Sequence, residues 1–145
     1  MLTFDSILTN QGPIMAKRFD VHQERLKKVS MFGKNLVRRS KSCCELCEES
    51  GVKLQVFEVA PVYEEPELES CIFICDTCHE QIENPKRIEA GHWRCLNNAV
   101  WSEVPAIQVA SIRMLRLLAI KNDWAEDLLD QAFLDPEIEE WCNKS

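Results

Sequence analysis

The chain has 145 residues, 46% of them apolar and 28% charged, with 4 Gly, 6 Pro and 8 Cys. That length suits one domain, or one domain with a tail, and the composition excludes collagen-like, low-complexity and wholly disordered chains. The net charge of −7 hides a division, because residues 1–42 carry +6 and the remainder −13.

Residues 1–16, broken by Gly12-Pro13, are expected to form a disordered lead, and either Met1 or Met15 serves as the start. They include Asp5 and no apolar core, unlike a secretory signal. No apolar run reaches the roughly 18 residues of a membrane span, so the expected setting is the cytoplasm, with no membrane partner. Residues 17–42 read as a basic, amphipathic helical arm. Phe19, Val21, Leu26, Val29 and Phe32 recur partly at helical spacing up to Gly33, and a second turn covers Asn35 to Arg39. Such an arm, from Lys17 to Lys41, would hold nucleic-acid phosphates or dock on the acidic body of its own chain.

From residue 43 to 145 a single zinc-binding domain is expected. Val52 to Val59 alternates and is rich in β-branched residues, which predicts a strand. An acidic loop from Pro61 to Ser70 leads to a second strand at Cys71 to Ile74. Asp76 to Glu83 suits a helix stopped by Asn84-Pro85. Ser102 is placed to cap a long helix with Pro105 in its first turn, and its broad apolar set predicts a central, well-covered element. Asp123 with Glu126 predicts a further capped helix through Leu134, and Asp135-Pro136 a last turn near Trp141. Trp101, Trp124 and Trp141 are expected to anchor these helices to the strands.

Cys44-Glu45-Leu46-Cys47 and Cys75-Asp76-Thr77-Cys78 stand 27 residues apart. Each Cys-x-x-Cys aims two sulfurs at one point, and a hairpin between them would bring the pairs together around one structural zinc ion. Knuckle, β-hairpin and helix make a treble clef, so the expected fold is α+β: a treble-clef zinc finger against a C-terminal helical layer, preceded by the basic helix. Eight cysteines in a reducing compartment point to thiolate–metal chemistry or burial rather than disulfides. Cys43 offers the alternative Cys43-x-x-x-Cys47, but spacing favours Cys44; Cys71, Cys95 and Cys142 adjoin apolar residues and are assigned to the core. A zinc ion held by four thiolates has no open position for water, so no catalytic residue is assigned.

Two resemblances bear on function. From Arg39 through Ile82 the pattern resembles the HNH endonuclease motif, in which a strand supplies a metal ligand and a general base and the later helix another His. Here Phe57 and Glu58 occupy the strand positions and only His79 fits, which suggests a degenerate relative. The segment from Gly33 onward is similar to the zinc-binding region of PhnA-family proteins, named for an alkylphosphonate-utilisation operon. That similarity rests on Arg38-Arg39-Ser40, the two cysteine pairs, His92-Trp93-Arg94-Cys95-Leu96-Asn97, Trp101-Ser102-Glu103-Val104-Pro105-Ala106 and Trp124-Ala125-Glu126-Asp127. It implies a small zinc protein, loosely linked to phosphonate utilisation and acting as a non-catalytic binding or regulatory module. His79, His92, Trp93 and Arg94 are the candidates for contact with an anion or partner. Arg94 would supply bidentate donors there and Trp93 a stacking face.

Overall fold

A two-stranded antiparallel hairpin organises the fold, as seen in a computed structural model that describes residues 20–144. The expected lead over 1–16 and the start of the arm at Lys17, Arg18 and Phe19 lie outside the described residues. Strand β1 is Leu54–Glu58 and β2 is Cys71–Cys75, with Leu54 opposite Cys75, Val56 opposite Phe73 and Glu58 opposite Cys71. Every residue of β2 is buried, because its two faces enter two different cores. Cys71 and Phe73 face Leu36 of helix α2 (Gly33–Ser40), while Ile72 and Ile74 face the main core. Period-two alternation thus serves two apolar layers instead of one layer and solvent.

Residues 20–31 form helix α1. Its apolar residues are largely left outside a core, with Val21, Leu26 and Met31 exposed, and only Phe32 at its end packs against the Leu36 cluster. Charge ties the helix to the body instead. Arg25 pairs with Glu58 through Nε at 3.2 Å and Nη2 at 2.6 Å, and donates from Nη1 to the Glu64 carbonyl at 2.8 Å. Lys28 donates to Glu65 at 2.8 Å. Helix α2 ends where Lys41 and Ser42 take left-handed backbone angles, φ 57° and 62°, turning the chain into the first cysteine pair.

Helix α3 (Asp76–Glu83) follows β2 directly and stops at Asn84, before Pro85. Short 3-10 turns at Pro85–Arg87 and His92–Cys95 lead into helix α4 (Leu96–Ala99). Central helix α5 (Pro105–Leu118) buries Ile107, Val109, Ile112, Met114, Leu115 and Leu118. At roughly 1.5–3 kcal/mol for each large apolar side chain taken from water, this is the principal seam of the core. Helices α6 (Asp123–Gln131) and α7 (Pro136–Cys142) pack on α5, and Arg113 of α5 donates to the Trp141 and Lys144 carbonyls at 2.8 and 2.6 Å. None of the helices among the described residues is long and apolar enough to cross a membrane.

Three expectations need correction. Helix α5 begins at Pro105, not at Ser102, whose Oγ accepts from the Val104 N–H at 3.1 Å and closes a turn ahead of the helix. Helix α6 takes Asn122, not Asp123, as its N-cap, and it ends at Gln131, short of Leu134, where Ala132 turns extended; the Asn122 amide donates to the Leu118 carbonyl at 2.9 Å and does not cap the helix. Trp101 is 50% exposed and anchors nothing in the core. Trp141 does anchor: its indole N–H reaches the Ala60 carbonyl at 2.9 Å, tying α7 to the end of the hairpin.

Candidate metal centre

The two cysteine pairs meet. Cys44 and Cys47 lie in the turn after α2, Cys75 ends β2 and Cys78 lies in the first turn of α3, and their four Sγ atoms all fall within 4.8 Å of one another. Cys44–Cys78 is 3.7 Å and Cys47–Cys75 is 3.6 Å. A tetrahedron of sulfurs around an ion at about 2.3 Å has edges of about 3.8 Å, so the spacing fits a four-thiolate metal site. It is far from the roughly 2.05 Å of a disulfide, and all four cysteines are free. These residues can hold a metal ion.

The local chain builds this arrangement by repetition. In each pair the backbone N–H of the second cysteine points at the sulfur of the first, Cys47 to Cys44 and Cys78 to Cys75, both at 3.5 Å. The two-residue gap therefore turns the chain sharply and supplies a donor to a thiolate. At the second pair that donor is also a free N–H of the first turn of α3, where the helix dipole favours negative charge. Positive φ at Glu48 (65°) and Gly51 (71°) completes the first turn and feeds β1.

Glu45, inside the first pair, locks the turn onto β2. Its side chain is 3% exposed and accepts from Arg39 Nε at 2.8 Å, Arg39 Nη2 at 2.7 Å and the Phe73 N–H at 2.8 Å. Its own N–H donates to the Phe73 carbonyl at 2.8 Å, and Arg39 adds the Cys71 carbonyl at 3.0 Å. Sequence reasoning assigned Glu45 no role; an acid standing between two candidate ligand cysteines was the available signal.

Without metal, four sulfurs this close cannot all ionise. The Cys44 thiol is held down to about 4, chiefly by its hydrogen bond with Cys78, with backbone donors helping and burial opposing. Cys78 is pushed well above the ordinary range by that same bond and by burial. Cys47 is pushed up to about 12, chiefly by burial. Ionising one sulfur of the coupled cluster therefore makes ionising its neighbours harder. A divalent cation reverses this balance, drawing protons off the remaining thiols.

Other cysteines stay apart from the cluster. The Cys43 Sγ lies 3.5 Å from the Lys41 carbonyl, and Cys43 pairs through its backbone with Ser50. Cys71 and Cys142 are buried, and Cys95 packs at the edge of the main core.

The candidates for anion or partner contact do not form one corner. His79 lies on α3 with its ring edge-on to Phe57, centroids 6.0 Å apart, and its Nε2 is 3.7 Å from Glu83. Trp93 is fully buried, its indole N–H donating to Gln81 Oε1 at 2.8 Å, so it offers no stacking face to a ligand. Arg94 lies over the Trp124 ring, 4.5 Å from its centroid, instead of beside Trp93. His92 turns toward the cluster, with Nε2 at 3.2 Å from Cys78 Sγ. Comparison of the chain with protein-family models, curated proteins and solved structures finds no match.

Proposed function

We propose that this is a zinc protein whose one ion, held by Cys44, Cys47, Cys75 and Cys78, is structural, and that the surrounding treble clef serves a non-catalytic binding or regulatory role. The observation that supports it is the near-tetrahedral grouping of four sulfurs from two turns joined by a hairpin. Sulfur-only ligation favours zinc over magnesium or calcium, which take oxygen donors. When bound, the ion contributes cross-linking and charge; a filled four-sulfur shell leaves no site for an activated water. A PhnA-like kinship, with its loose link to phosphonate utilisation, fits a protein of this kind and rests on the strings quoted above.

The alternatives draw less support. Arg25, Lys28 and Arg39 of the basic arm are engaged by Glu58, Glu65 and Glu45, so a nucleic acid would have to compete with partners already in place. A nuclease needs a metal ligand and a base near neutrality where Phe57 and Glu58 stand, and Glu58 is committed to Arg25. The test is metal analysis of protein purified without added metal, together with its Cys78→Ser variant. One zinc per chain in the wild type, lost in the variant, is expected. Wild-type protein that folds and carries no metal, before or after zinc addition, would overturn the proposal.

A further inference from the structure

We propose that His92 is a positioning residue for the metal centre: its Nε2–H donates to the Cys78 sulfur and holds that thiolate on the ion. The inference rests on the four-cysteine site being filled, and goes beyond it by assigning a donor from outside the two cysteine pairs. His92 belongs to a segment 14 residues downstream of Cys78, yet its Nε2 stands 3.2 Å from Cys78 Sγ. Two anchors fix the ring there. It packs edge-on against Trp93, centroids 5.2 Å apart and planes at 85°, and Trp93 is itself fully buried and pinned to Gln81 of α3. Gln81 Oε1 also accepts from the Glu89 N–H at 2.9 Å, while the His92 N–H donates to the Glu89 carbonyl at 3.0 Å. One glutamine, three residues past Cys78 on the same helix, thus sets the loop that carries the imidazole.

The chemistry of the position is specific. Cys44 and Cys75 each receive a hydrogen bond from a backbone N–H two residues beyond the next position, in the manner of the knuckle. Cys78, as the second member of its pair, is not the sulfur that its pair's N–H serves, and the imidazole supplies a donor to it. A donor on a bound thiolate withdraws electron density and lowers its basicity, which slows protonation and departure from the metal. Partners of this outer kind are typically worth about 10–100-fold in metal affinity. His92 and Cys75 also line a polar cavity of about 330 Å³ with Glu49, Lys53, Asp76 and Thr77, so the imidazole lies where solvent and competing ligands reach the cluster.

Three proteins decide it: wild type, His92→Phe, which keeps a ring against Trp93 without the donor, and His92→Gln, whose amide restores an N–H near the Nε2 position. Each is loaded with zinc, and release to an excess of a chromogenic chelator is timed. All three are expected to bind one equivalent, with release about tenfold faster from H92F and near the wild-type rate from H92Q. In the cobalt-substituted H92F protein the sulfur-to-metal charge-transfer band should move to lower energy, a shift that a purely structural role for the ring would not produce. Equal release rates and an unmoved band in H92F, with one metal bound, would overturn the role of His92 and leave the four-cysteine site intact. Absence of bound metal in the wild type would instead remove the site itself. Where H92F does not fold, the imidazole nitrogen resonances of cadmium-loaded wild type decide: a hydrogen on Nε2 supports the proposal, and a bare or cadmium-coupled Nε2 refutes it.

Discussion

Replacing Arg39 by Met should be among the most damaging single changes away from the cysteines. Methionine keeps most of the aliphatic length and removes the guanidinium, so three hydrogen bonds are lost, two to Glu45 and one to the Cys71 carbonyl. Glu45, at 3% side-chain exposure, is then left with the Phe73 N–H as its donor at 2.8 Å. Stripping one partner from a buried pair costs about 3–5 kcal/mol, because the surviving charge stays desolvated. Arg39 is 28% exposed, so water reaches part of the gap and the lower end applies, about 3 kcal/mol. At roughly 3–5 °C per kcal/mol for a chain of this size, the thermal midpoint should fall by about 10 °C. Urea and thermal unfolding at fixed free zinc measure it, and an R39M/E45M double-mutant cycle isolates the pair. The double variant should be less destabilised than the two single losses added together. A loss below about 1 kcal/mol for R39M, the range of an exposed ion pair, or a cycle without coupling would refute the reasoning.

Gln81→Leu removes the acceptor shared by the Trp93 indole and the Glu89 N–H, and should cost about 2–4 kcal/mol in urea unfolding; a loss under 1 kcal/mol would contradict it. Arg113→Met removes the guanidinium that holds the carbonyl end of α7, and amide exchange over residues 136–142 should accelerate about tenfold while α5 stays protected; uniform protection would contradict it. Burial pushes the Cys71 thiol from the ordinary 9.0 up to about 11. Below pH 9 the thiol is protonated in both states and has no effect. Between about pH 9 and 11 the unfolded chain loses this proton while the folded chain keeps it, so stability falls as pH rises, by up to about 2–3 kcal/mol. A Cys71→Ala variant should show a shallower decline over that window, and an identical slope would count against the assignment.

How much of this was readable beforehand depends on how local each signal was. The cysteine pairs, the alternation of Val52 to Val59 and the Asn84-Pro85 stop are short-range patterns, and the hairpin, α3 and the sulfur cluster appear where they point. Ser102 spends its hydroxyl on the Val104 N–H ahead of α5, and Asp123 falls one residue inside α6, distinctions of a single position that sequence spacing does not rank. Docking of the basic arm on the chain's own acidic body takes the form of the Arg25–Glu58 and Lys28–Glu65 pairs, while Val21, Leu26 and Met31 stay exposed. The polar contacts around the centre, Glu45 with Phe73 of β2 and His92 with Cys78, join segments that only the folded chain brings together. His92-Trp93-Arg94 looked like one recognition string, but a 3-10 turn sends its three side chains to three places: the cluster, the core and the Trp124 face.

Zinc-edge X-ray absorption on protein purified without added metal tests the central claim most directly. The expected spectrum has four sulfurs at about 2.3 Å and no nitrogen or oxygen in the first shell. A shell containing oxygen or nitrogen, or metal-free folded protein with Cys44, Cys47, Cys75 and Cys78 open to thiol reagents, would contradict it.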